Sequence, residues 1–277
     1  MKSYVMEDGR WHHKFSQSWI KTTDICLERA RMEHAKTMPN IESDAACIGT
    51  AMHLGVETCI ASEGLPLHQV IEIAQDEFSR LMRLDGTNGD PEARHAEGVF
   101  KWIKYDEAKA RHLINLFTGY WYDEVWISLH IDGARTEWDF KVPVVDDAER
   151  LIELTGTADY VRGAHIMDWK TSGGGPYKAW EHQRWNIQAT AYTYALHQWV
   201  DARPTFELVV MHAKGVQRLP IQRGPEHWAW LQTKVTDLAH LIECEVPTWI
   251  KSDNHALCSE KWCPAWLTCK GATGITF

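Results

Sequence analysis

The sequence predicts a mixed α/β fold in which a central mixed β-sheet is flanked by helices. Helical periodicity prevails over the first 120 residues, and short segments rich in β-branched and apolar residues follow. The predicted strands occupy residues 123–131, 136–144, 151–162, 165–169, 206–212 and a stretch near 217–222. Helices, then strands, then a helix and further strands are typical of a mixed α/β layout.

Six helices are predicted along the chain. They occupy residues 16–35, 44–63, 66–83, 91–117, 178–200 and 226–245. Because no repeat and no long linker interrupts them, we expect a single domain over residues 1–277. Its parts are a helical region (1–120), an α/β core (121–225) and a C-terminal helix with a cysteine-rich segment (226–277).

The composition is that of a globular protein, with 44% hydrophobic and 24% charged residues. A net charge of −9 argues against binding nucleic acid by bulk positive charge, but it leaves room for a local basic groove. The 15 tryptophans supply core, and such rings can also stack on nucleobases. No stretch is apolar enough for a leader or a membrane span, so we expect a soluble, cytoplasmic protein without a membrane partner.

The stretch ADYVRGAHIMDWKTSGGG, residues 158–175, gathers charges around a tight turn. Gly163 and Ala164 separate two strand-like segments, which predicts a two-residue type II′ hairpin. In that register Tyr160 faces Met167, Val161 faces Ile166 and Arg162 faces His165. One step further from the turn, two aspartates then lie opposite each other.

Those aspartates, Asp159 and Asp168, have Cβ atoms about 5 Å apart in the predicted register. Like charges so placed are unfavourable unless something positive lies between them. Lys170 leaves the second strand on the same face as Asp168, because it is two residues further on. The pattern favours a divalent cation at this point. The alternative is a solvated sheet face on which Lys170 makes an ordinary surface ion pair.

Two helical features add candidate residues. His53 lies four residues after Gly49, and it could complete an oxygen-rich site if its helix packs against the hairpin. Taken alone, it is more typical of an ordinary surface or core histidine. Arg184, Gln188 and Tyr192 are spaced by four, so they form one helical stripe that either binds phosphates or is simply solvated.

Three of the seven cysteines, Cys258, Cys263 and Cys269, lie within twelve residues near the C-terminus. An odd count without a leader peptide argues for thiols or metal ligation rather than disulfides. The spacing lacks the C-x-x-C pairs of zinc ribbons. An iron-sulfur cluster needs four thiolates, one of which can come from far away in the sequence.

The ordered set of motifs resembles the RecB-type branch of the PD-(D/E)xK nucleases. It consists of GTAMH ending at His53, GTAD with Asp159, DWK with Asp168 and Lys170, and QATAY with Gln188 and Tyr192. The cysteine trio together with an early cysteine is similar to the iron-sulfur members of that branch. Those members include AddB-type nuclease domains, CRISPR adaptation nucleases and phage recombination exonucleases. The chain looks most like the phage type.

The resemblance implies a restriction-endonuclease-like core and a metal-dependent DNA exonuclease. By this resemblance, His53, Asp159, Asp168 and the carbonyl of Trp169 would bind Mg²⁺ or Mn²⁺, and Lys170 would act on the attacking water or the phosphate. Gln188 and Tyr192 would position the DNA strand. Cys26 would join the three C-terminal cysteines around a structural 4Fe-4S cluster.

The resemblance further implies linear DNA, single- or double-stranded, as substrate and a single-strand annealing recombinase as partner, in a host cytoplasm if phage-encoded. Two other readings of the sequence stay open. One is a non-catalytic DNA-binding or assembly factor that keeps the fold and the cluster. The other is a zinc-stabilised structural protein whose acidic hairpin is incidental.

Overall fold

The computed structural model of the protein describes residues 2–37, 41–82, 99–129, 131–246, 249–252, 258–259 and 263–269. The helices are α1 (Gln17–Ile25), α2 (Leu27–His34), α3 (Asp44–Ala61), α4 (Leu67–Met82), α5 (Glu107–Glu124), α6 (Ala179–Trp185), α7 (Ile187–His197), α8 (Pro225–Glu243) and α9 (Trp266–Cys269). The strands are β1 (Lys2–Val5), β2 (Trp11–Ser16), β3 (Ile41–Ser43), β4 (Val99–Lys101), β5 (Ala134–Asp146), β6 (Arg150–Arg162), β7 (His165–Ser172), β8 (Thr205–His212) and β9 (Gly215–Ile221). No helix in these ranges is long and apolar enough to cross a membrane.

Seven strands form one mixed sheet in the order β1-β2-β6-β7-β8-β9, and β5 pairs with β6. The pairs β2/β6 and β7/β8 are parallel, and the other neighbours are antiparallel. Strands β3 and β4 form a separate small parallel pair. The predicted mixed α/β class, with helices around a mixed sheet, is therefore confirmed.

Two hydrophobic clusters lie against this sheet. One contains Phe117 and Trp121 of α5 with residues of α3 and α4, and it reaches Trp169 of β7. The other contains residues of α1, α7 and α8, and it reaches Ile166 of β7. Since successive residues of a strand point to opposite faces, β7 lies between two helical layers.

The prediction that the first 120 residues are all helical is wrong at the N-terminus, where β1 and β2 extend the sheet. In β2 the alternating residues His13 and Phe15 are both fully buried. This strand pairs in parallel with β6, more than 130 residues away, from Trp11↔Arg150 to Ser16↔Thr155. Such a distant partner is not visible in the local pattern, so the strand could not be recognised from its own six residues.

The predicted strand at 123–131 is also wrong. Helix α5 continues to Glu124, and a 3-10 turn follows at Trp126–Ser128. The ring of Trp126 packs on Trp121 with centroids 5.8 Å apart, and the hydroxyl of Ser128 donates to the carbonyl of Val125. Short apolar runs suit either structure, and here tertiary packing decides.

The predicted helix at 91–117 begins later, at Glu107, and its N-cap Asp106 accepts the N–H of Lys109. Residues 83–98 lie outside the described ranges. A strand, β4, occupies Val99–Lys101 instead of the middle of that helix.

The predicted helix at 16–35 is two helices, because Cys26 adopts an extended conformation (φ −163°, ψ 116°) between α1 and α2. Its sulfur accepts the N–H of Arg29, which caps α2, and the N–H of Ser252. The break therefore directs the Cys26 thiol toward the C-terminal segment.

The predicted helix at 178–200 is likewise divided at Asn186, which is extended and caps α7 by accepting the N–H of Ala189 at 2.9 Å. Side-chain capping by Asn competes with helix continuation. As a result Arg184, on α6, does not share one continuous helical stripe with Gln188 and Tyr192, on α7. The predicted stripe of three is wrong in that respect.

The hairpin register is confirmed over three pairs, Tyr160↔Met167, Val161↔Ile166 and Arg162↔His165. Gly163 has φ +56°, as the first turn position of a type II′ hairpin requires. The ladder ends there, so the predicted facing pair of Asp159 and Asp168 does not form, although both strands continue.

Strand β6 is shared along one edge by two partners, which produces a fork in the sheet. Strand β2 pairs with residues 150–155 of β6 and β7 pairs with residues 160–162, whereas β5 follows the opposite edge. Between the two partners, residues 156–159 of β6 have no ladder partner on the forked edge. A Cβ atom on Gly156 would lie 2.7 Å from the ring of Phe140 and 3.0 Å from Gln17 at the start of α1.

We expect Gly156→Ala to lower the free energy of unfolding by about 1–3 kcal/mol, because the added methyl overpacks the fork. The control is Gly119→Ala in α5, where a Cβ atom meets nothing within 4 Å and Ala favours the helix by about 0.5–1 kcal/mol. Urea denaturation monitored by circular dichroism measures both. Equal effects of the two substitutions would contradict the tight approach at Gly156.

Candidate active site

At the fork, the side chain of Asp159 lies between strands β6 and β7. The carboxylate of Asp159 accepts the backbone N–H of Trp169 at 2.6 Å, so a side-chain bond takes the place of a ladder bond between β6 and β7. Asp159 is 8% exposed, and its burial raises its pKa despite the nearby ammonium of Lys170. A buried carboxylate at this point separates the strands and faces the space between them.

Asp168 lies within the same space and is fully buried. One carboxylate oxygen accepts from Nε2 of Gln188 at 2.8 Å. The other, Oδ2, lies 2.5 Å from Nζ of Lys170 but takes part in no hydrogen bond of ordinary geometry within the described part of the chain. Burial raises the pKa of Asp168 to about 6, although Lys170 opposes this shift.

His53 reaches the fork from α3, on the other side of the sheet from Gln188. Its Nε2–H donates to the carbonyl oxygen of Trp169 at 3.1 Å, and Nδ1 lies 3.5 Å from Oδ1 of Asp159. Burial and then Lys170 lower the pKa of His53 to about 4, so the ring is neutral at pH 7. Because a carbonyl cannot donate, Nε2 carries the proton and the lone pair of Nδ1 faces a carboxylate oxygen. Two facing acceptors suit a cation.

Glu137 is the site residue that the sequence reasoning missed. It lies in β5 between the pairs Thr136↔Tyr160 and Trp138↔Ala158, which places it level with Asp159. Its φ of +46° is in the left-handed region, which is unusual for a glutamate within a strand. Burial and the charge of Asp159 raise its pKa to about 7. Pairing the strand at 136–144 with the predicted hairpin would have revealed it.

His53, Glu137 and Asp159 offer ligand atoms that all lie within 4.8 Å of one another. This is a nitrogen and oxygen donor set, which suits Mg²⁺ or, with imidazole, Mn²⁺. Burial raises the pKa of these carboxyls, and a divalent ion at this point would favour their ionised form. The residues present therefore fit a divalent metal, with Asp168 and Lys170 beside it.

The remaining predicted residues differ in their placement. The hydroxyl of Tyr192 donates to the carbonyl of Thr157 and receives a bond from Gln188 at 2.8 Å, and Tyr192 is only 1% exposed. Gln188 thus joins Tyr192 to Asp168. Arg184 is exposed on α6. The carbonyl of Trp169 accepts from His53 and, at 3.1 Å, from Lys170.

Part of the C-terminal cysteine segment lies near the break at Cys26. Residues 249–252 dock on α2, since Glu28 accepts the N–H of Trp249 and donates its own N–H to Ile250. Burial raises the pKa of the Cys263 thiol, and Cys258 and Cys26 lie close enough to add to that shift. The carbonyl of Cys269 accepts from Lys251 at 3.2 Å. The long-range approach of Cys26 to this segment is thus present in the structure.

Residues 14–270 match the family model of the PD-(D/E)XK nuclease superfamily, so the chain belongs to this superfamily. The superfamily consists of nucleases that use divalent metals, in agreement with the donor set at the fork. A protein from Eubacterium rectale that is provisionally named an exonuclease has a solved structure of similar fold. The TM-score is 0.50 at 13% identity, over 83% of this chain and 80% of that one.

A second solved structure, SSO0001, covers 91% of this chain and 95% of its own at 12% identity, with a TM-score of 0.37. No curated protein matches the sequence. At such low identities the structural likeness shows the fold alone, and the site rests on the geometry of this chain.

We expect Glu137→Gln to stabilise the chelated protein at pH 8 by about 1–2 kcal/mol, since one half-buried charge is removed. A carboxyl whose folded pKa is raised destabilises the fold at any pH above its unfolded pKa, because the unfolded chain ionises it more readily. The gain is therefore largest above the folded pKa of about 7, and it disappears as the pH falls to about 4.5.

Urea denaturation in EDTA at pH 4.5 and 8 measures this difference. Asp132→Asn, an exposed acid just before β5, is the control, and we expect it to change little at either pH. A Glu137→Gln protein that is less stable than native at pH 8 would show that the glutamate is structural rather than poised for a cation.

Proposed function

We propose that the protein is a divalent-metal-dependent DNA exonuclease that hydrolyses phosphodiester bonds at the ends of linear DNA. The observation that carries this proposal is the fork, where Lys170 contacts buried Asp168 beside the group of His53, Glu137 and Asp159. Buried, unbalanced carboxylates cost stability, and a module that only binds DNA does not need them.

We propose that His53, Glu137 and Asp159 hold Mg²⁺ or Mn²⁺, with Asp168 as a further ligand. The bound ion would lower the pKa of a water molecule and stabilise the negative charge of the reacting phosphate. His53 is pre-oriented by the carbonyl of Trp169. That carbonyl already accepts two hydrogen bonds, so it could become a ligand only after one donor moves.

Lys170 is proposed to neutralise the phosphate rather than to act as a base. Burial opposes its charge, but Asp168 and Asp159 outweigh that effect and raise the pKa of Lys170. The ammonium therefore keeps its proton at neutral pH. A fixed positive charge in a site shielded from water stabilises developing phosphate charge more strongly than it would in bulk solvent.

Gln188 and Tyr192 are proposed as positioning residues. Gln188 fixes the rotamer of Asp168, and Tyr192 fixes both Gln188 and the carbonyl of Thr157 within the unpaired stretch of β6. Because Tyr192 is buried and fully engaged, contact with the DNA strand falls to Gln188 and to exposed groups nearby such as Arg184.

The preference for DNA ends is supported by the motif resemblance to phage-type exonucleases and by the provisional name of the Eubacterium rectale protein. The same resemblance supports a role in recombination or repair beside a single-strand annealing recombinase. The residues of the fork themselves support phosphodiester hydrolysis.

We further propose that Cys26, Cys258, Cys263 and Cys269 ligate a structural iron-sulfur cluster of the 4Fe-4S type. What supports it is the extended break at Cys26, whose sulfur accepts two backbone N–H groups, and the electrostatic proximity of Cys263 to Cys258 and Cys26. Backbone N–H donors stabilise thiolate sulfur, as a cluster ligand requires.

The native protein is expected to shorten end-labelled linear DNA in Mg²⁺ or Mn²⁺ and to leave closed circular DNA intact. Lys170→Ala should lower the cleavage rate by at least about 100-fold, because it removes the charge beside the phosphate. Lys2→Ala, an exposed lysine on the outer strand β1, is the control. Gel analysis of labelled products measures both.

Cleavage of closed circular DNA would overturn the assignment as an exonuclease, but the protein would still be a nuclease. Equal cleavage by the Lys170→Ala protein would overturn the site. Strong DNA binding without any metal-dependent cleavage would favour the alternative of a non-catalytic binding factor.

Protein purified anaerobically should contain about four iron and four acid-labile sulfide per chain. We expect Cys26→Ser to lose most of both, since it removes one of four ligands, whereas Cys244→Ser at an exposed position should retain them. Zinc without sulfide in the native protein would overturn the cluster and support a zinc-stabilised tail.

A further inference from the structure

A cavity of about 380 Å³ opens beside Lys170, on the side of the fork away from His53. Its floor is Leu208 of β8, and its walls come from α1 and from α6 with the segment that precedes it. Gln188 and Lys170, which both contact Asp168, form its boundary with the candidate active site. A ligand in this cavity would therefore lie next to Lys170 and Asp168 of the candidate active site.

Lys21 of α1 brings a second positive charge to this cavity. It forms no hydrogen bond or ion pair with any part of the chain that the structure describes. Partial loss of solvent in the cavity and then the nearby ammonium of Lys170 lower the pKa of Lys21, whereas the charge of Asp168 raises it. The acid that lines the cavity, Glu181, is paired with Lys178 at 3.0 Å. Among the described residues of the lining, Lys21 is thus a positive charge without a bonded partner, which suits an anion.

Aromatic rings form the outer part of the same cavity. Trp180 is 61% exposed, so much of its ring is accessible to a ligand in the cavity. Behind it, the rings of Tyr177 and His182 stack with centroids 4.6 Å apart and an angle of 3° between planes, which fixes the start of α6. A free ring beside an unpaired lysine is the combination by which proteins bind single-stranded nucleic acid.

We propose that this cavity binds one unpaired nucleotide next to the scissile phosphate, with Lys21 on the neighbouring phosphate and Trp180 stacked on its base. The substrate class is therefore a single-stranded end, because a base can enter the cavity only after it has left a duplex. This inference rests on the proposed function, since it takes the phosphate at Lys170 to be the one that is cut.

Binding of a labelled single-stranded oligonucleotide, followed by fluorescence anisotropy in EDTA, tests the cavity without cleavage. Trp180→Ala should weaken binding by roughly tenfold, and Trp180→Phe should restore most of it, because stacking survives. Trp199→Ala is the matched control, since Trp199 is 66% exposed but lines a different cavity.

Lys21→Gln should reduce the slope of log affinity against log salt concentration by about 0.7, as expected for one lost phosphate contact. Lys21→Arg should keep the native slope. With Mn²⁺ and single-stranded ends, Trp180→Ala and Lys21→Gln should raise KM by several-fold and leave kcat within about twofold. A blunt duplex should show smaller changes in all variants.

The two proposals can fail separately. If the native protein cuts single-stranded ends and both variants bind and cut like native, the cavity proposal is overturned and the nuclease stands. If binding falls in the variants as expected but no protein cuts DNA, the cavity stands as a site for an unpaired nucleotide, whereas the proposed function and the scissile phosphate beside the cavity are overturned. Equal losses for Trp180→Ala and Trp199→Ala would also overturn the cavity, because the effect would not be local.

Discussion

The bond between the carboxylate of Asp159 and the N–H of Trp169 is the interaction on which the site depends. In a continuous hairpin, β7 would follow β6 along the whole edge and the aspartates would face each other across a ladder. Here the ladder stops after three pairs, and the Asp159 side chain satisfies the next backbone donor at 2.6 Å. A buried N–H left without a partner would cost about 1–3 kcal/mol, so the carboxylate makes the separation of the strands affordable.

That separation lets two helical layers meet at one point. His53 arrives from α3 on one side of the sheet, and Gln188 arrives from α7 on the other. In an intact sheet the backbone would keep these side chains apart. Burial, and after it the charge of Asp159, raise the pKa of Glu137 and Asp168, so their ionised forms oppose the stability of the fold until a cation balances them.

Local signals in the sequence predicted much of this. The class of fold, the hairpin register near Gly163 and the convergence of Asp159, Asp168 and Lys170 follow from alternation, turn chemistry and two-residue spacing. What failed was non-local. Strand β2 needs its partner β6, the breaks at Cys26 and Asn186 depend on capping side chains, and Glu137 depends on strand register together with a positive φ. The two caps act over three residues, but whether they interrupt a helix is decided by the packing around them; β2 and Glu137 depend on partners far away in the sequence.

Helix α1 gives the cysteine segment a physical connection to the fork. Ser16 ends β2 at the fork and caps α1 by accepting the N–H of Trp19, while the opposite end of the helix is Cys26. Nine helical residues span about 13 Å, and Trp19 and Ile20 bury this helix in the core. Lys21 lies between the two ends. Because a packed helix moves as a unit, the contacts that hold Cys26 against residues 249–252 also set the position of Lys21 beside Lys170. The proposed cluster at Cys26 would therefore act on the proposed strand site through the position of α1, and it would need no redox role for this.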